Sequence, residues 1–249
     1  MPKFISLKSP YFIISLMLFS ILLSICTIHI FDTESIDNVN TVTAPQTDKP
    51  CIVIDAGHGG IDPGKVGINK ALEKDINLSI ALKLKPLLEN KGFNVYLTRE
   101  DDHMLAEKNS STPKRDDMLA RAKYIEEINP VFTISIHQNS FTEESSCGPQ
   151  IFYYENSNEG KKLASFLQES LNDILSPVKA RFPQANDNYF LLKKTPTPTV
   201  IVECGFLSNP REANLLIDEL YQLKVARAIY FGVISYYESM PEHNPNTLR

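Results

Sequence analysis

Short apolar runs alternate with longer segments of helical periodicity along most of the chain. The short runs are rich in Val and Ile and are bounded by Gly, Pro, Asn or Asp, a pattern typical of buried strands. This alternation predicts a single α/β domain with a largely parallel, twisted sheet of about six strands flanked by helices. The predicted strands are 51–54, 93–97, 131–137, 150–154, 189–192 and 199–203, and the predicted helices are 73–91, 114–129, 218–238 and two that begin near 158 and 210.

The apolar positions of the predicted helices identify candidate core residues. In the first helix, Ile76, Ile80 and Leu84 recur at helical spacing, and Gly92 ends the pattern. The same spacing predicts that one face of each later helix packs on the sheet. The residues expected to point inward are Met118, Ala122 and Ile125 of helix 114–129, and Leu220, Leu223, Ile229 and Val233 of helix 218–238.

The first part of the chain differs from the rest because Lys3 and Lys8 precede an apolar run that extends to about residue 31. This pattern predicts a membrane anchor or a signal peptide over 1–31, and an uncleaved anchor is favoured because no small-x-small cleavage site follows. The two lysines then place the rest of the chain outside the cytoplasm. We expect a polar tether over 32–50, the folded domain over 51–238 and a polar tail over 239–249.

Charge and cysteine content exclude some classes of function. The formal net charge of −5 argues against a nucleic-acid partner. The four cysteines, Cys26, Cys51, Cys147 and Cys204, show no CxxC spacing, so a cysteine zinc site is not expected. Free thiols, rather than a disulfide framework, are the favoured interpretation of the three that follow the apolar run.

Four residues with useful chemistry fall at the ends of predicted elements. His58 follows the first strand between glycines, His137 ends strand 131–137, and Glu203 ends strand 199–203. Glu73 begins the first helix. Each has a simpler interpretation on its own, since Gly-His-Gly turns occur in ordinary loops and a carboxylate at a helix start suits the helix dipole.

Their joint placement favours a metal site. Ligands of parallel α/β sheets bind beyond the carboxyl ends of the strands, and the start of the first helix reaches the same edge. Two imidazoles and one carboxylate are the protein ligands of many catalytic zinc sites, which leave a position for water. A second carboxylate near that water can act as general base and then protonate a leaving amine. The pattern therefore predicts zinc-dependent hydrolysis of an amide.

Four motifs carry a resemblance to a known family. They are Ile54 to Gly60 (IDAGHGG), Glu73-Lys74, Ser135 to Asn139 (SIHQN) and Val202 to Asn209 (VECGFLSN). In this order they resemble the zinc-dependent N-acetylmuramoyl-L-alanine amidases of bacterial cell walls. The resemblance implies that His58, Glu73 and His137 bind one Zn²⁺ and that Glu203 is the catalytic acid/base. It also implies that the substrate is peptidoglycan, cut between the lactyl group of N-acetylmuramic acid and L-alanine.

A narrower resemblance is to the cortex-modifying amidases of spore-forming bacteria, through the segment 189–193 and the single domain after an apolar segment. It implies action in the space around the forespore, where the cut begins conversion of muramic acid to the δ-lactam that germination enzymes recognise. Gln138 departs from the small residue of many relatives, which bears on the substrate groove. No insert resembles the blocking helix of division amidases and no wall-binding repeat is visible, which leaves activation or targeting by an accessory protein open.

Two other functions remain open from the sequence. A zinc peptidase could use the same residues to cut within the stem peptide. A wall-binding module without activity could keep the same fold, although it would not need all four site residues.

Overall fold

The computed structural model of the protein describes residues 49–107 and 109–241. The predicted anchor or signal segment and nearly all of the tether lie outside these residues, as does most of the polar tail. No helix in the described part of the chain is long and apolar enough to span a membrane. The described cysteines, Cys51, Cys147 and Cys204, are free, as the sequence predicts.

The described chain forms a six-stranded sheet with helices on both of its faces. The sheet confirms the predicted α/β class, in which strands and helices alternate along the chain. The strands are β1 (Cys51–Ala56), β2 (Asn94–Leu97), β3 (Phe132–Asn139), β4 (Gln150–Tyr153), β5 (Gln184–Ala185) and β6 (Thr199–Phe206). The helices are α1 (Glu73–Asn90), α2 (Pro113–Ile128), α3 (Asn158–Leu175), α4 (Phe190–Lys194), α5 (Pro210–Leu216) and α6 (Glu219–Glu238).

The strand order is β2-β1-β3-β6-β4-β5. Strands β2, β1, β3 and β6 run parallel, whereas β4 runs antiparallel to β6 and β5 pairs parallel with β4. The sheet is therefore largely parallel, as predicted. Because β1, β3 and β6 are neighbours with the same direction, the residues at their carboxyl ends share one edge.

Alternation along the central strands gives the two faces of the sheet different chemistry. Side chains such as Ile54, Ile136 and Val202 enter the main core, where α1, α3 and α6 pack. The intervening positions point to the opposite face, where the apolar cluster around Val53 and Ile125 is small. The polar residues of that second face, in register across the sheet, are Asp55, Thr133, Ser135, His137, Thr199 and Glu203.

Four details of the predicted elements and core residues are wrong. Residues 189–192 are not a strand, because α4 covers most of them. A short strand that was not predicted, β5, lies between the helix that begins near 158 and this segment. A short apolar run does not by itself distinguish a strand from a helix, and the consecutive buried Leu191 and Leu192 suit a helix. Two predicted core residues are exposed, Met118 at 43% and Leu220 at 78%.

The exposed pair has a local explanation. Met118 lies on the part of α2 that borders a cavity rather than the sheet. Leu220 lies in the first turn of α6, two residues after the capping residue Asp218 and before Gln222, the first buried residue of the helix. Both positions keep helical spacing, so periodicity alone cannot separate them from the buried residues of the same helices.

Candidate metal centre and active site

A glycine-rich turn after β1 presents His58 at the carboxyl edge of the sheet. His58 has a left-handed φ of 63°, and Gly59 and Gly60 also have positive φ. Gly57 has no side chain where a Cβ atom would lie 2.3 Å from the His137 ring. The glycine therefore allows the two imidazoles to approach until their ring centroids are 5.0 Å apart.

Glu73 lies between the two imidazoles. His58 Nε2 is 3.2 Å from Glu73 Oε2, and His137 Nδ1 is 2.9 Å from Glu73 Oε1. One ligand atom from each of the three residues can be chosen so that all lie within 4.8 Å of one another. Ligand atoms around a tetrahedral zinc ion are separated by roughly 3.3 Å, given metal–ligand distances of ~2.0–2.1 Å. The cluster therefore fits a divalent cation in both donor chemistry and spacing.

The Glu73 carboxylate is held on both oxygens by neighbouring backbone. Lys65 N donates to Oε2 at 2.7 Å, and Gln138 N donates to Oε1 at 3.0 Å. Burial alone would raise the pKa of Glu73, but the hydrogen bonds and charges of His137 and His58 outweigh it and lower the pKa well below its usual range. Glu73 is therefore ionised and fixed in position at the start of α1, where the helix dipole also favours a negative charge.

Asp62 holds the other nitrogen of His58. Its Oδ2 atom lies 2.7 Å from His58 Nδ1, while its Oδ1 atom pairs with Lys114 Nζ at 2.7 Å. Burial alone would lower the pKa of His58, but Glu73 and Asp62 raise it to about 9. A carboxylate on the outer nitrogen of a metal-binding histidine fixes the ring orientation and the tautomer. Asp62 was not identified from the sequence, although its spacing of four residues from His58 was visible.

Glu203 lies beside this cluster, in register with His137 on the neighbouring strand. It is 6% exposed; Tyr189 Oη is 3.4 Å from its Oε1 atom, and its Oε2 atom has no hydrogen-bond partner among the described residues. Burial is the main cause that raises the pKa of Glu203 to about 7; His137 opposes this shift and Glu73 adds to it. A carboxyl group that gains and loses a proton near neutral pH can act as both base and acid.

The structure thus brings all four predicted site residues together. His137 and Glu203 lie within strands rather than at their last residues, because β3 continues to Asn139 and β6 to Phe206. The Gln138 side chain donates to Asn77, its backbone N–H donates to Glu73, and the residue also lines the cavity over the cluster.

A cavity of about 630 Å³ opens over the cluster. Its polar lining includes Lys65, from the loop after β1, and Lys114 and Arg115, from the first turn of α2. Its apolar lining includes Met118 and residues of α4. A large cavity with a few convergent polar groups is the expected form of a ligand site.

An α/β domain that places a His-Glu-His cluster beside a buried carboxyl group with a pKa near neutral contains the groups that a metal-dependent hydrolase needs. Residues 52–235 match the family model described as N-acetylmuramoyl-L-alanine amidase, and the chain belongs to this family. The family and enzyme class predicted from the sequence are confirmed by this match.

Curated relatives and solved structures give the same assignment. The chain is 38% identical to the germination-specific N-acetylmuramoyl-L-alanine amidase of Bacillus subtilis (strain 168), over 75% of this chain and 79% of that protein. It is 28% identical to the amidase AmiA of Escherichia coli (strain K12), over 76% of each chain. The CwlD amidase from Clostridioides difficile, solved in complex with the GerS lipoprotein, aligns with a TM-score of 0.74 and 40% identity, covering 77% of this chain and all of that one.

Proposed function

We propose that this protein uses a zinc ion held by His58, Glu73 and His137 to hydrolyse the amide bond between N-acetylmuramic acid and L-alanine in peptidoglycan. The observation that carries the proposal is the convergence of these three residues beside Glu203, which is buried and in register with His137. Two nitrogen ligands and one oxygen ligand suit zinc, whereas magnesium and calcium prefer oxygen ligands throughout.

The chain's own residues supply the proton transfers. A bound zinc ion would polarise the amide carbonyl and activate a water molecule. Glu203, with its free Oε2 atom, accepts a proton from that water as its oxygen adds to the carbonyl carbon. The C–N bond then breaks, and Glu203 returns the proton to the departing nitrogen of L-alanine. The products are a lactyl carboxylate on the sugar and a stem peptide with a free amino terminus.

The cavity suggests how the stem peptide is held. Lys65 and Arg115 line the cavity, and within the described part of the chain their charged groups have no hydrogen-bond or ion-pair partner. Stem peptides carry free carboxylates beyond L-alanine, and a guanidinium binds a carboxylate in a two-point geometry. We assign these two cations to the peptide side of the substrate and the apolar side of the cavity to the sugar.

The spore cortex is the site of action that we infer. The relatives that support it are the germination-specific amidase of B. subtilis and the CwlD amidase of C. difficile. Removal of the peptide frees the lactyl carboxyl group, which is the chemical requirement for closing a muramic δ-lactam. The same proposal includes extracytoplasmic action and attachment to the membrane through residues 1–31. It also includes activation by an accessory lipoprotein, because CwlD was solved in complex with a lipoprotein.

Digestion of purified cortex peptidoglycan tests this function. The protein is treated with a chelator and assayed by mass spectrometry before and after Zn²⁺ is restored. We expect zinc-dependent release of peptides that begin with L-alanine, together with muramic acid that has lost its peptide. His137→Ala should abolish release of the peptides. His103→Ala should not, because His103 has a half-exposed side chain that pairs with Asp101. L-alanine retained on the sugar would indicate a peptidase, and binding without release would indicate a silent module.

A further inference from the structure

Two buried arginines hold the backbone of the turn that carries His58. Arg121, on α2, donates from Nη1 to the carbonyl of Ala56 at 2.8 Å and from Nη2 to the carbonyl of His58 at 2.6 Å. Arg99, after β2, donates from Nε to the Ala56 carbonyl at 2.9 Å and from Nη2 to the Gly57 carbonyl at 3.1 Å. The consecutive carbonyls of residues 56–58 therefore all accept from a guanidinium.

Arg99 also connects this turn to the segment that carries Glu73. Its Nη2 atom donates to the carbonyl of Lys74 at 2.7 Å, so one nitrogen joins the residue before His58 to the residue after Glu73. The relative positions of two proposed metal ligands are thereby fixed through a single guanidinium. Asn77 adds one further bond to the Gly57 carbonyl, at 3.0 Å.

Asp55 extends the same network to the strand of His137. Its carboxylate accepts from Arg121 Nη1 at 2.5 Å, Thr98 Oγ1 at 2.8 Å and Ser135 Oγ at 2.6 Å. Ser135 lies two residues before His137 on β3, and because side chains alternate between the faces of a sheet, both lie on the same face. Arg121 is itself oriented by Asp117, which accepts from Nε at 2.7 Å.

We propose that Arg99 and Arg121 are positioning residues of the metal centre, which hold the His58 turn and the start of α1 at the spacing that the cation needs. The inference rests on the proposed metal site and concerns how that site is preorganised. The turn needs such support because His58 has a left-handed φ, and Gly57 and His58 lie beyond the last ladder pair of β1 and β3, Ala56 with Ile136. A guanidinium can satisfy several carbonyls from a rigid plane, whereas a lysine ammonium reaches them as a single point charge.

Lysine substitutions test the proposal because they keep the positive charge and remove the planar guanidinium that donates several hydrogen bonds. Arg99→Lys, Arg121→Lys and the parent protein are titrated with Zn²⁺ against a chromophoric chelator. Loss of a partner outside the ligand shell costs metal affinity about 10–100-fold, and we expect that loss in both variants. The matched control is Arg181→Lys, whose guanidinium also donates to a backbone carbonyl, that of Cys147 at 2.8 Å, without touching the ligand-bearing segments. Its Zn²⁺ affinity should equal that of the parent.

A second measurement separates positioning from general stability. Denaturant unfolding of each variant is followed with and without saturating Zn²⁺, since a ligand stabilises the folded state in proportion to the logarithm of its affinity. A positioning role predicts a smaller zinc-dependent gain in the two variants than in the parent and the Arg181→Lys control. Equal gains, or variants unfolded under both conditions, would assign the arginines to the fold alone and overturn the proposal. A parent protein that does not bind Zn²⁺ would instead overturn the proposed function.

Discussion

Glu73 and Glu203 are neighbours in the same site, yet their carboxyl groups have different hydrogen-bond partners and pKa values shifted in opposite directions. Both oxygens of Glu73 are occupied by backbone N–H groups and imidazoles, and its pKa is lowered. Glu203 has one oxygen without a partner in the described chain, and burial raises its pKa to about 7. The side chains are identical, so the difference comes entirely from what surrounds them.

This difference indicates which carboxylate does which work. A group that must stay ionised and hold a cation benefits from fixed donors on both oxygens. A group that must exchange a proton needs a pKa near the working pH and an atom left free for the substrate. Pairs of titratable groups whose environments separate their pKa values are the usual basis for assigning acid/base roles, and here the separation supports Glu73 as ligand and Glu203 as acid/base.

The largest effect that we expect comes from Glu203→Gln. The amide cannot accept or return the proton, so the rate of peptide release from sacculi should fall by about 10²–10⁴-fold. Zn²⁺ binding, measured by chelator competition, should stay close to that of the parent because Glu203 is not one of the proposed ligands. A variant that released stem peptides at the parent rate would remove Glu203 from the mechanism.

Glu73→Gln should have the opposite pattern of effects, with Zn²⁺ binding weakened first and activity lost as a consequence. Its main expected effect is on Zn²⁺ affinity, which should fall by more than about 100-fold, beyond the usual cost of losing a partner outside the ligand shell. Activity should be lost at low zinc concentration and partly recover when zinc is added in excess. If zinc excess rescued Glu203→Gln and not Glu73→Gln, the two roles would have to be exchanged.

The sequence predicted the parallel strands of the fold well because their signals are local. The runs before His58, within β3 and before Glu203 are short, rich in Val and Ile and bounded by turn residues, which favours buried strands over helices, and the helix start at Glu73 follows from its periodicity. Since neighbouring parallel strands end at one edge, the convergence of the four site residues also followed.

The parts that the sequence could not predict depend on contacts between distant segments. Nothing local distinguishes Arg99 or Arg121 from a surface arginine, because both donate to the carbonyl of Ala56, more than forty residues earlier in the chain. The antiparallel direction of β4 and the helical state of 190–194 likewise depend on packing against β6 rather than on their own short patterns. Met118 was assigned to the core because periodicity cannot tell a cavity wall from a packed face.

The contrast between the two carboxylates also predicts a stability difference that depends on pH. Because the folded pKa of Glu203 is raised from 4.5 to about 7, ionisation of this group costs the folded state up to about 3 kcal/mol, and the cost grows as the pH rises through this range. Glu203→Gln should therefore stabilise the zinc-free protein at pH 8 and have little effect at pH 4.5. Denaturant unfolding in the presence of a chelator measures both values. Equal changes in the free energy of unfolding at the two pH values would show that ionisation of Glu203 does not destabilise the folded state.

The smallest expected effect concerns the peptide side of the cavity. Arg115→Gln removes an exposed cation that lines the cavity without touching the proposed ligands or Glu203. An exposed charge pair contributes about 0.2–1 kcal/mol, so the substitution should raise KM several-fold. It should leave kcat nearly unchanged, because the lost interaction is made equally in the ground state and the transition state. The increase should appear with substrates whose stem peptide has free carboxylates and should disappear when those carboxylates are amidated. Arg227→Gln, on the outer face of α6, is the matched control. An equal KM increase for both substrates would show that Arg115 does not recognise the charge.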